Sequence, residues 1–203
     1  LDIEISGSIE ADGELAVCVD GKLFNAAVTK APGDIELTAE DGHLIVKSGR
    51  SRIKLPTLPV DDFPSFNAGD FTATFDIDLA ELVAPVAFAM SQEATRYYLN
   101  GVYLHHNDTR LIAVATDGHR MVVHKAETGG DIPAVILPRK LVGILPKGKV
   151  TVSLSDTKVR VVAADVTITS KLIDGTFPDY QRVIPNDNDN VIEVDGKALA
   201  SAA

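Results

Sequence analysis

The chain has 203 residues, of which 45% are hydrophobic, 24% are charged and 5% are aromatic. These proportions are typical of a soluble globular protein and exclude a disordered tail or a collagen-like repeat. The formal net charge of −10 argues against a protein that coats nucleic acid over its whole surface, because phosphate binding needs clustered Lys and Arg side chains.

The charge is unevenly distributed along the chain. Residues 1–67 carry 6 basic and 12 acidic side chains, residues 68–185 carry 12 and 13, and residues 186–203 carry 1 and 4. The nearly neutral middle segment contains a local basic cluster of Arg139, Lys140, Lys147 and Lys149. An acidic shell around a basic lining and lysines scattered over an ordinary surface both fit this pattern.

Three features of the sequence bear on the cellular location: its apolar runs, its first residues and its single cysteine. No apolar run reaches the roughly 18 residues of a membrane span, and the alternating start at Leu1 does not have the layout of a signal peptide. The single Cys18 cannot form an internal disulfide, which fits a reducing compartment. We therefore expect a cytoplasmic protein without a thiolate metal site.

In chain order, the first elements are a short strand that runs into a helix over 17–24 and two alternating strands within 44–58, followed by an exit through Phe63-Pro64. Asp78 then has the character of a helix N-cap. The helix that follows has one apolar stripe of Leu79, Leu82, Val83, Val86, Ala87 and Met90. Pro85 removes one backbone hydrogen bond and kinks this helix, unless the helix begins later than Asp78 indicates.

The remaining elements are mostly strands. The β-rich stretches are 95–105, 110–116, 119–126, 132–137, 149–154, 158–162 and 165–171, with turn residues at Asn107-Asp108 and Gly129-Gly130. A short helix is predicted at 139–146. Two helices among many antiparallel strands predict an α+β unit with its helices on one face of the sheets.

The chain also repeats itself. Residues 44–58 followed by Phe63-Pro64 match residues 158–172 followed by Phe177-Pro178 at a constant offset of 114. Residues 17–24 match 135–142, and 75–78 match 192–195, each pair being a strand that runs into a helix. The repeating unit has about 115 residues. We expect the end of one unit at 1–67, a complete unit at 68–185 and the opening strand and helix of a third at 186–203, which is the pattern of a fragment.

Candidate chemistry is sparse. Asp117, His119 and His124 suggest a metal site or a general base, but no acidic third ligand follows at a useful spacing, so a structural turn is favoured over catalysis. The sequence contains neither a Gly-x-x-x-x-Gly-Lys phosphate loop nor a Gly-x-Gly-x-x-Gly motif, so it gives no support for nucleotide binding. Arg96-Tyr97-Tyr98 places a cation beside two aromatic rings at the start of a strand, which fits either a nucleic-acid contact or a half-buried tyrosine pair.

Four motifs, in order, resemble one known family. They are Arg96-Tyr97-Tyr98-Leu99-Asn100-Gly101, Ala115-Thr116-Asp117-Gly118-His119-Arg120, Pro138-Arg139-Lys140, and Ser170-Lys171-Leu172-Ile173-Asp174-Gly175 leading to Phe177-Pro178-Asp179-Tyr180. Together they identify the chain as similar to the bacterial DNA polymerase III beta subunits, the replicative sliding clamps. The resemblance spans essentially the whole chain. It departs from the family pattern between Lys140 and Lys149, where this chain is several residues shorter.

The resemblance implies a DNA-clamp fold, in which two subunits of three domains close head to tail into a ring around duplex DNA. Helices line the hole of such a ring, so an acidic protein can present a modest basic lining. The DNA-facing residues are then expected to be Lys22, Arg96, Tyr97, Tyr98, Arg139, Lys140 and Lys197. Contacts to a sliding duplex must be weak and independent of base sequence. This chain lacks the third domain of the family's subunit interface and is not expected to close a ring alone.

The resemblance also implies a non-catalytic protein that needs no cofactor or metal and is loaded onto DNA by a clamp loader. The polymerase catalytic subunit and other partners attach to such clamps through short peptides. Their apolar groove is expected here at Leu99, Thr116, Gly118, His119, Arg120, Met121, Pro178, Arg182 and Val183, with a remaining wall from the third domain. Two alternatives stay open: a free-standing α+β protein-interaction module without DNA function, and a hydrolase that uses Asp117 and His119.

Overall fold

The computed structural model describes residues 2–66, 69–107, 110–127, 132–185 and 188–202. It contains thirteen strands within these ranges: β1 Ile3–Gly7, β2 Cys18–Val19, β3 Glu36–Glu40, β4 His43–Ser48, β5 Ser51–Leu58, β6 Ala73–Ile77, β7 Gly101–Asn107, β8 Arg110–Thr116, β9 Met121–Glu127, β10 Val135–Pro138, β11 Val150–Leu154, β12 Lys158–Ala163 and β13 Val166–Lys171. The α-helices there are α1 Gly21–Thr29, α2 Leu79–Ala87, α3 Arg139–Val142 and α4 Gly196–Ala202, with 3-10 turns at Val60–Asp62, Tyr97–Leu99 and Tyr180–Val183. This is the α+β class that the sequence predicted.

The strands form three antiparallel sheets. A five-stranded sheet has the order β1-β13-β12-β11-β6, a central four-stranded sheet has the order β10-β7-β8-β9, and a second four-stranded sheet has the order β2-β5-β4-β3. The predicted repeat is visible in this topology, because hairpin β4-β5 and hairpin β12-β13 occupy the matched segments at offset 114. The matched pairs β2-α1 and β10-α3 are likewise strands that run into helices.

The main core is built by alternating residues of the central sheet. Leu111, Ala113 and Ala115 of β8 pack with α2, α3 and the five-stranded sheet, whereas Ile112 and Val114 pack on the opposite face with the Phe177 segment. Successive side chains of a strand point to opposite faces, so β8 serves two apolar clusters at once. A smaller separate cluster holds the first part of the chain together around Ala27, Leu44, Val46 and Leu55.

Helix α2 begins as the sequence predicted and includes Pro85. The Asp78 carboxylate accepts a hydrogen bond from the Glu81 backbone N–H at 2.8 Å, which caps the first turn. Leu79, Leu82, Val83 and Val86 are all buried. His124 of β9 donates its Nδ1 proton to the Leu82 carbonyl at 2.9 Å, so the side chain that was a candidate metal ligand instead holds α2 against the sheet.

Four sequence predictions need correction. The stretch 95–105 is not a strand from its beginning, because Tyr97–Leu99 forms a 3-10 turn and β7 begins at Gly101. The helix predicted at 139–146 ends at Val142, and residues 192–194 precede α4 without forming a strand. Residues 119 and 120 belong to a turn rather than to the following strand, which begins at Met121. The turns predicted at Asn107-Asp108 and Gly129-Gly130 extend into positions outside the described residues.

Strand β1 connects the first segment of the chain to the central unit. It forms the edge of the five-stranded sheet, where Ile3 pairs with Ser170 and Gly7 with Val166. The Glu4 carboxylate also accepts a hydrogen bond from the Phe66 N–H at 2.7 Å. Residues on both sides of position 67 are therefore hydrogen-bonded into one sheet system. Among the described helices, none has the length and apolarity required to cross a membrane.

Candidate peptide groove and DNA-facing surface

The turn between β8 and β9 is held rigidly by its own side chains. The Asp117 carboxylate accepts hydrogen bonds from the backbone N–H groups of His119 and Arg120 at 2.9 and 3.0 Å. The Thr116 hydroxyl accepts from Gly118 N–H and donates to the Arg120 carbonyl. The two backbone N–H bonds keep the pKa of Asp117 below its ordinary value. Asp117 therefore stabilises a turn, which is the structural role that the sequence favoured over catalysis.

This arrangement leaves the hydrolase alternative without support. Asp117 and His119 both lie in the turn, and His119 is exposed. The second carboxylate oxygen of Asp117 is bonded to Arg120 Nε at 3.0 Å. Within the part of the chain that the structure describes, no three His, Cys, Asp or Glu side chains are grouped so as to hold a metal ion.

Arg120 is exposed but contacts Phe88, the residue that follows α2. Its guanidinium donates to the Phe88 carbonyl at 3.1 Å and stacks over the Phe88 ring, with 5.3 Å between the guanidinium carbon and the ring centroid. The Phe88 side chain is 61% exposed and extends the apolar surface beside the turn. Sequence reasoning missed Phe88, because the contact joins positions 32 residues apart.

The Phe-Pro exit segment forms the other side of the candidate groove. Phe177 and Tyr180 are buried in the same cluster as Leu99, and Met121 packs against that cluster. Pro178, Arg182 and Val183 remain at the surface, with Val183 69% exposed. The structure therefore brings Leu99, Met121, Phe177 and Tyr180 into one apolar cluster, although they are far apart in the sequence. Their meeting point has an apolar floor and an exposed rim.

A column of stacked aromatic rings packs the exit segment against β7. Phe177 stacks on Tyr103 at 4.8 Å between ring centroids, and Tyr103 stacks in turn on His105 at 4.9 Å. His105 Nε2 and the Tyr180 hydroxyl are hydrogen-bonded at 2.9 Å. Burial is the main cause that lowers the pKa of His105. The alternation of Tyr103 and His105 along β7 was a sequence signal for this shared face.

Arg96 lies at the groove, although it was predicted to face DNA. Gly118 has φ +90°, and a Cβ atom placed on it would lie 2.5 Å from Arg96 Nη1. The guanidinium thus covers the bare backbone of the turn. Glu93 holds it there through two hydrogen bonds, from Nε at 2.8 Å and from Nη2 at 2.7 Å. Glu93 was not among the residues that the sequence singled out, although it precedes Arg96 by three positions.

The other predicted DNA-facing residues fall into two groups. Lys22, Lys140 and Lys197 are exposed, and each is the second residue of its helix, in α1, α3 and α4. Lys140 also contacts Asp2 at 3.1 Å in an ion pair that is exposed on both sides. Arg139 differs, because its guanidinium donates to the Met90 and Ser91 carbonyls at 2.6 and 2.9 Å. It connects the start of α3 to the segment that follows α2.

The two tyrosines of the pair differ in exposure. Tyr97 is 52% exposed, whereas Tyr98 packs against the buried cluster of the exit segment. Gly175 allows this approach, since a Cβ atom there would lie 3.0 Å from Tyr98 Cβ. Tyr97, Arg139 and Lys140 line one open cavity of about 450 Å³ beside the junction of β1 and β13.

Comparisons with known proteins agree with this architecture. The family described as the central domain of the DNA polymerase III beta subunit matches residues 76–179. The chain belongs to the DNA polymerase III beta subunit family. The beta sliding clamp of Caulobacter vibrioides is 37% identical over 216 residues, and that of Pseudomonas putida is 36% identical over 223 residues.

The structural comparison gives the same family. The crystal structure of the sliding clamp of Bartonella birtlesii bound to griselimycin aligns with a TM-score of 0.85 at 40% identity, covering 93% of this chain and 56% of that one. The two curated relatives are matched over 98% and 100% of this chain but over 57% and 60% of their own lengths. The chain thus spans well under two thirds of the family's clamps.

Proposed function

We propose that this chain forms part of a cytoplasmic sliding clamp, a non-catalytic processivity factor that encircles duplex DNA and tethers the replicative polymerase. The observation that carries the proposal is the junction between β1 and β13. Here a strand of one repeating unit completes the sheet of the next unit over five residue pairs. Units joined edge to edge in this manner form a continuous curved array, which is how a ring is built from repeated domains.

The repeat identifies the matching edge in the first unit. Subtracting 114 from the paired residues 166–170 of β13 gives residues 52–56 of β5. On the side away from β4, β5 pairs with β2 at Thr57 and Leu58, beyond residues 52–56. We infer that a strand of the third domain of a second subunit occupies this edge in a homodimeric ring. In this proposal the repeating units are the end of a first domain at residues 1–67, a complete second domain at 68–185 and the opening of a third domain at 186–203.

The DNA-facing role rests on the helix-borne lysines. Lys22 and Lys140 occupy equivalent positions in the matched helices α1 and α3, so units arranged around an axis would present them at a similar height. Lys197 is the second residue of α4, whose match in the central unit is α2. Exposed lysines interact with phosphates without reading bases, which suits a duplex that must slide. The proposed lining therefore consists of these lysines with Tyr97, while Arg96 and Arg139 are occupied by protein groups.

The lining is tested in a clamp of the relatives' length that carries this sequence. Changing Lys22, Lys140 and Lys197 together to Gln should reduce processive synthesis, and the defect should be largest at low salt and shrink as salt is raised, because screening weakens the lysine contacts of the unsubstituted clamp. The same number of lysine-to-glutamine changes at Lys30, Lys47 and Lys54 of the first unit serves as the control for net charge. Processivity that is unchanged at every salt concentration would remove the lining role. A monomer by gel filtration would favour an interaction module that does not encircle DNA.

The groove is proposed to bind the short peptides of polymerase, clamp loader and other partners. Its apolar floor suits one or two apolar anchors of a short peptide. Fluorescence anisotropy with a labelled clamp-binding peptide tests this assignment. Met121→Asp and Pro178→Asp should each weaken binding by more than about 1 kcal/mol, because the peptide would bury an unpaired charge. Ile144→Asp, at a 41% exposed position, is the control. Equal affinity of all variants would place the groove elsewhere.

A further inference from the structure

The three arginines of the candidate groove share one feature. Each is paired with an acidic residue three positions earlier in the chain: Arg96 with Glu93, Arg120 with Asp117, and Arg182 with Asp179. The shortest N–O distances of these pairs are 2.7, 3.0 and 3.8 Å. The groove therefore contains its own set of anions before any partner binds. The pairs differ in how firmly each acid is held.

Asp117 cannot leave its arginine without unfolding the turn, since its carboxylate also accepts two backbone N–H bonds. Glu93 is held differently, because both of its carboxylate hydrogen bonds come from the Arg96 guanidinium. Its side chain is 52% exposed and that of Arg96 is 34% exposed. Exposed ion pairs contribute little to stability, so this pair can open at small cost.

Arg96 is placed where an arriving peptide would meet it. Glu93 occupies Nε and Nη2, which turns Nη1 toward the bare backbone of Gly118. A guanidinium recognises a carboxylate best through two parallel hydrogen bonds, and Glu93 already uses that face. A second carboxylate at the same guanidinium would be repelled by Glu93 unless Glu93 moved away.

We propose that Glu93 is a built-in competitor that occupies Arg96, and that Arg96 recognises an acidic side chain of the partner peptide when Glu93 is displaced. The inference rests on the peptide groove of the proposed function and adds a specificity determinant to it. Glu93 then weakens the preference of the groove for acidic peptides without closing the groove to neutral ones. Exchanging one carboxylate for another at Arg96 keeps the number of ion pairs constant, which makes the exchange reversible.

The test uses two versions of one clamp-binding peptide from a bacterial replicative polymerase, which differ only by Asp or Asn at one internal position. Fluorescence anisotropy measures both affinities at low and high salt for a clamp of the relatives' length that carries this sequence, and for its Glu93→Gln, Arg96→Gln and double variants. Glu93→Gln should bind the Asp peptide about two- to five-fold more tightly, the range that an exposed ion pair spans, and the Asn peptide unchanged. In the Arg96→Gln background the same change should have no effect. High salt should reduce the gain.

Glu14→Gln, an exposed acid of the first segment, is the matched control for net charge and should leave both affinities unchanged. If Glu93→Gln increases the affinity for both peptides equally, or for neither peptide, the competitor role of Glu93 is wrong. If neither peptide binds the unsubstituted clamp, or if Met121→Asp binds as well as the unsubstituted clamp, the groove itself is wrong and the inference is overturned with it. The inference would also be overturned if Glu93→Gln still increased the affinity for the Asp peptide alone when Arg96 is replaced by Gln.

Discussion

The hydrogen bond between His105 and Tyr180 gives the sharpest prediction about how the groove wall is held. Tyr180 is 7% exposed, and its hydroxyl lies 2.9 Å from His105 Nε2. His105→Phe keeps a ring to stack on Tyr103 but leaves a buried hydroxyl without a partner, which costs about 1–3 kcal/mol. Tyr180→Phe leaves the half-buried imidazole, which water can partly solvate, so we expect the lower end of that range.

The double variant decides whether the hydrogen bond is responsible. When both partners become Phe, neither polar group is orphaned, and the cost should fall below the sum of the single variants by about 1 kcal/mol. Urea denaturation of the four proteins measures these free energies of unfolding. If the double variant loses as much stability as the two single variants together, the reasoning is refuted, because the two side chains would then contribute only through packing.

The pH dependence provides an independent check of the same pair. Burial lowers the pKa of His105 in the folded state, so the unfolded chain takes up the proton first as the pH falls below about 6.5. Stability should therefore decrease as the pH falls from the ordinary value toward the lowered one, and level off below it. The groups that face the imidazole are the His106 carbonyl and side chain, Tyr103 and Tyr180. In His105→Phe this component of the pH dependence should disappear.

Three further predictions concern the framework around the groove. Gly101→Ala should cost about 1–3 kcal/mol in urea denaturation, because its Cβ would collide with the backbone of β10, whereas Gly143→Ala, in a right-handed helical conformation with its nearest contact at 3.6 Å, should lie within about 0.5 kcal/mol of the unsubstituted chain. Equal effects would contradict this account. Arg139→Leu should lower the free energy of unfolding by about 1–3 kcal/mol, because the Met90 and Ser91 carbonyls lose their donor, and a neutral result would show that these two hydrogen bonds do not stabilise the fold. Asp117→Ala should abolish the loss of stability that accompanies acidification through the lowered pKa of Asp117, and a pH profile that does not change would show that the turn does not depend on this carboxylate.

The local elements were predictable because their signals lie within a few residues. The Asp78 cap, the apolar stripe of α2 and the two hairpins matched at offset 114 each depend on neighbours at helical or strand spacing. The same holds for the turn at Asp117, whose donors are two and three residues away. The resemblance to the beta subunits was likewise carried by short motifs whose order survives in the sequence.

The roles of the arginines were not predictable, because a long flexible side chain reaches partners that local sequence does not reveal. Arg139 was expected on a DNA-facing surface, yet its donors are used by carbonyls 48 and 49 residues away. Arg96 was expected beside it and instead covers Gly118. The α3 helix stops at Val142, which the apolar spacing through 146 did not indicate.

The sequence by itself determined the elements, the repeat and the family, because periodicity, capping residues and motif order are properties of nearby positions. Only the tertiary structure decided that β1 pairs with β13 at the edge of the five-stranded sheet, and that Leu99, Met121, Phe177 and Tyr180 pack in one apolar cluster. A strand edge can pair with any other edge that reaches it, and an apolar residue can pack with any other, so the choice between partners is made by the packing of the whole chain.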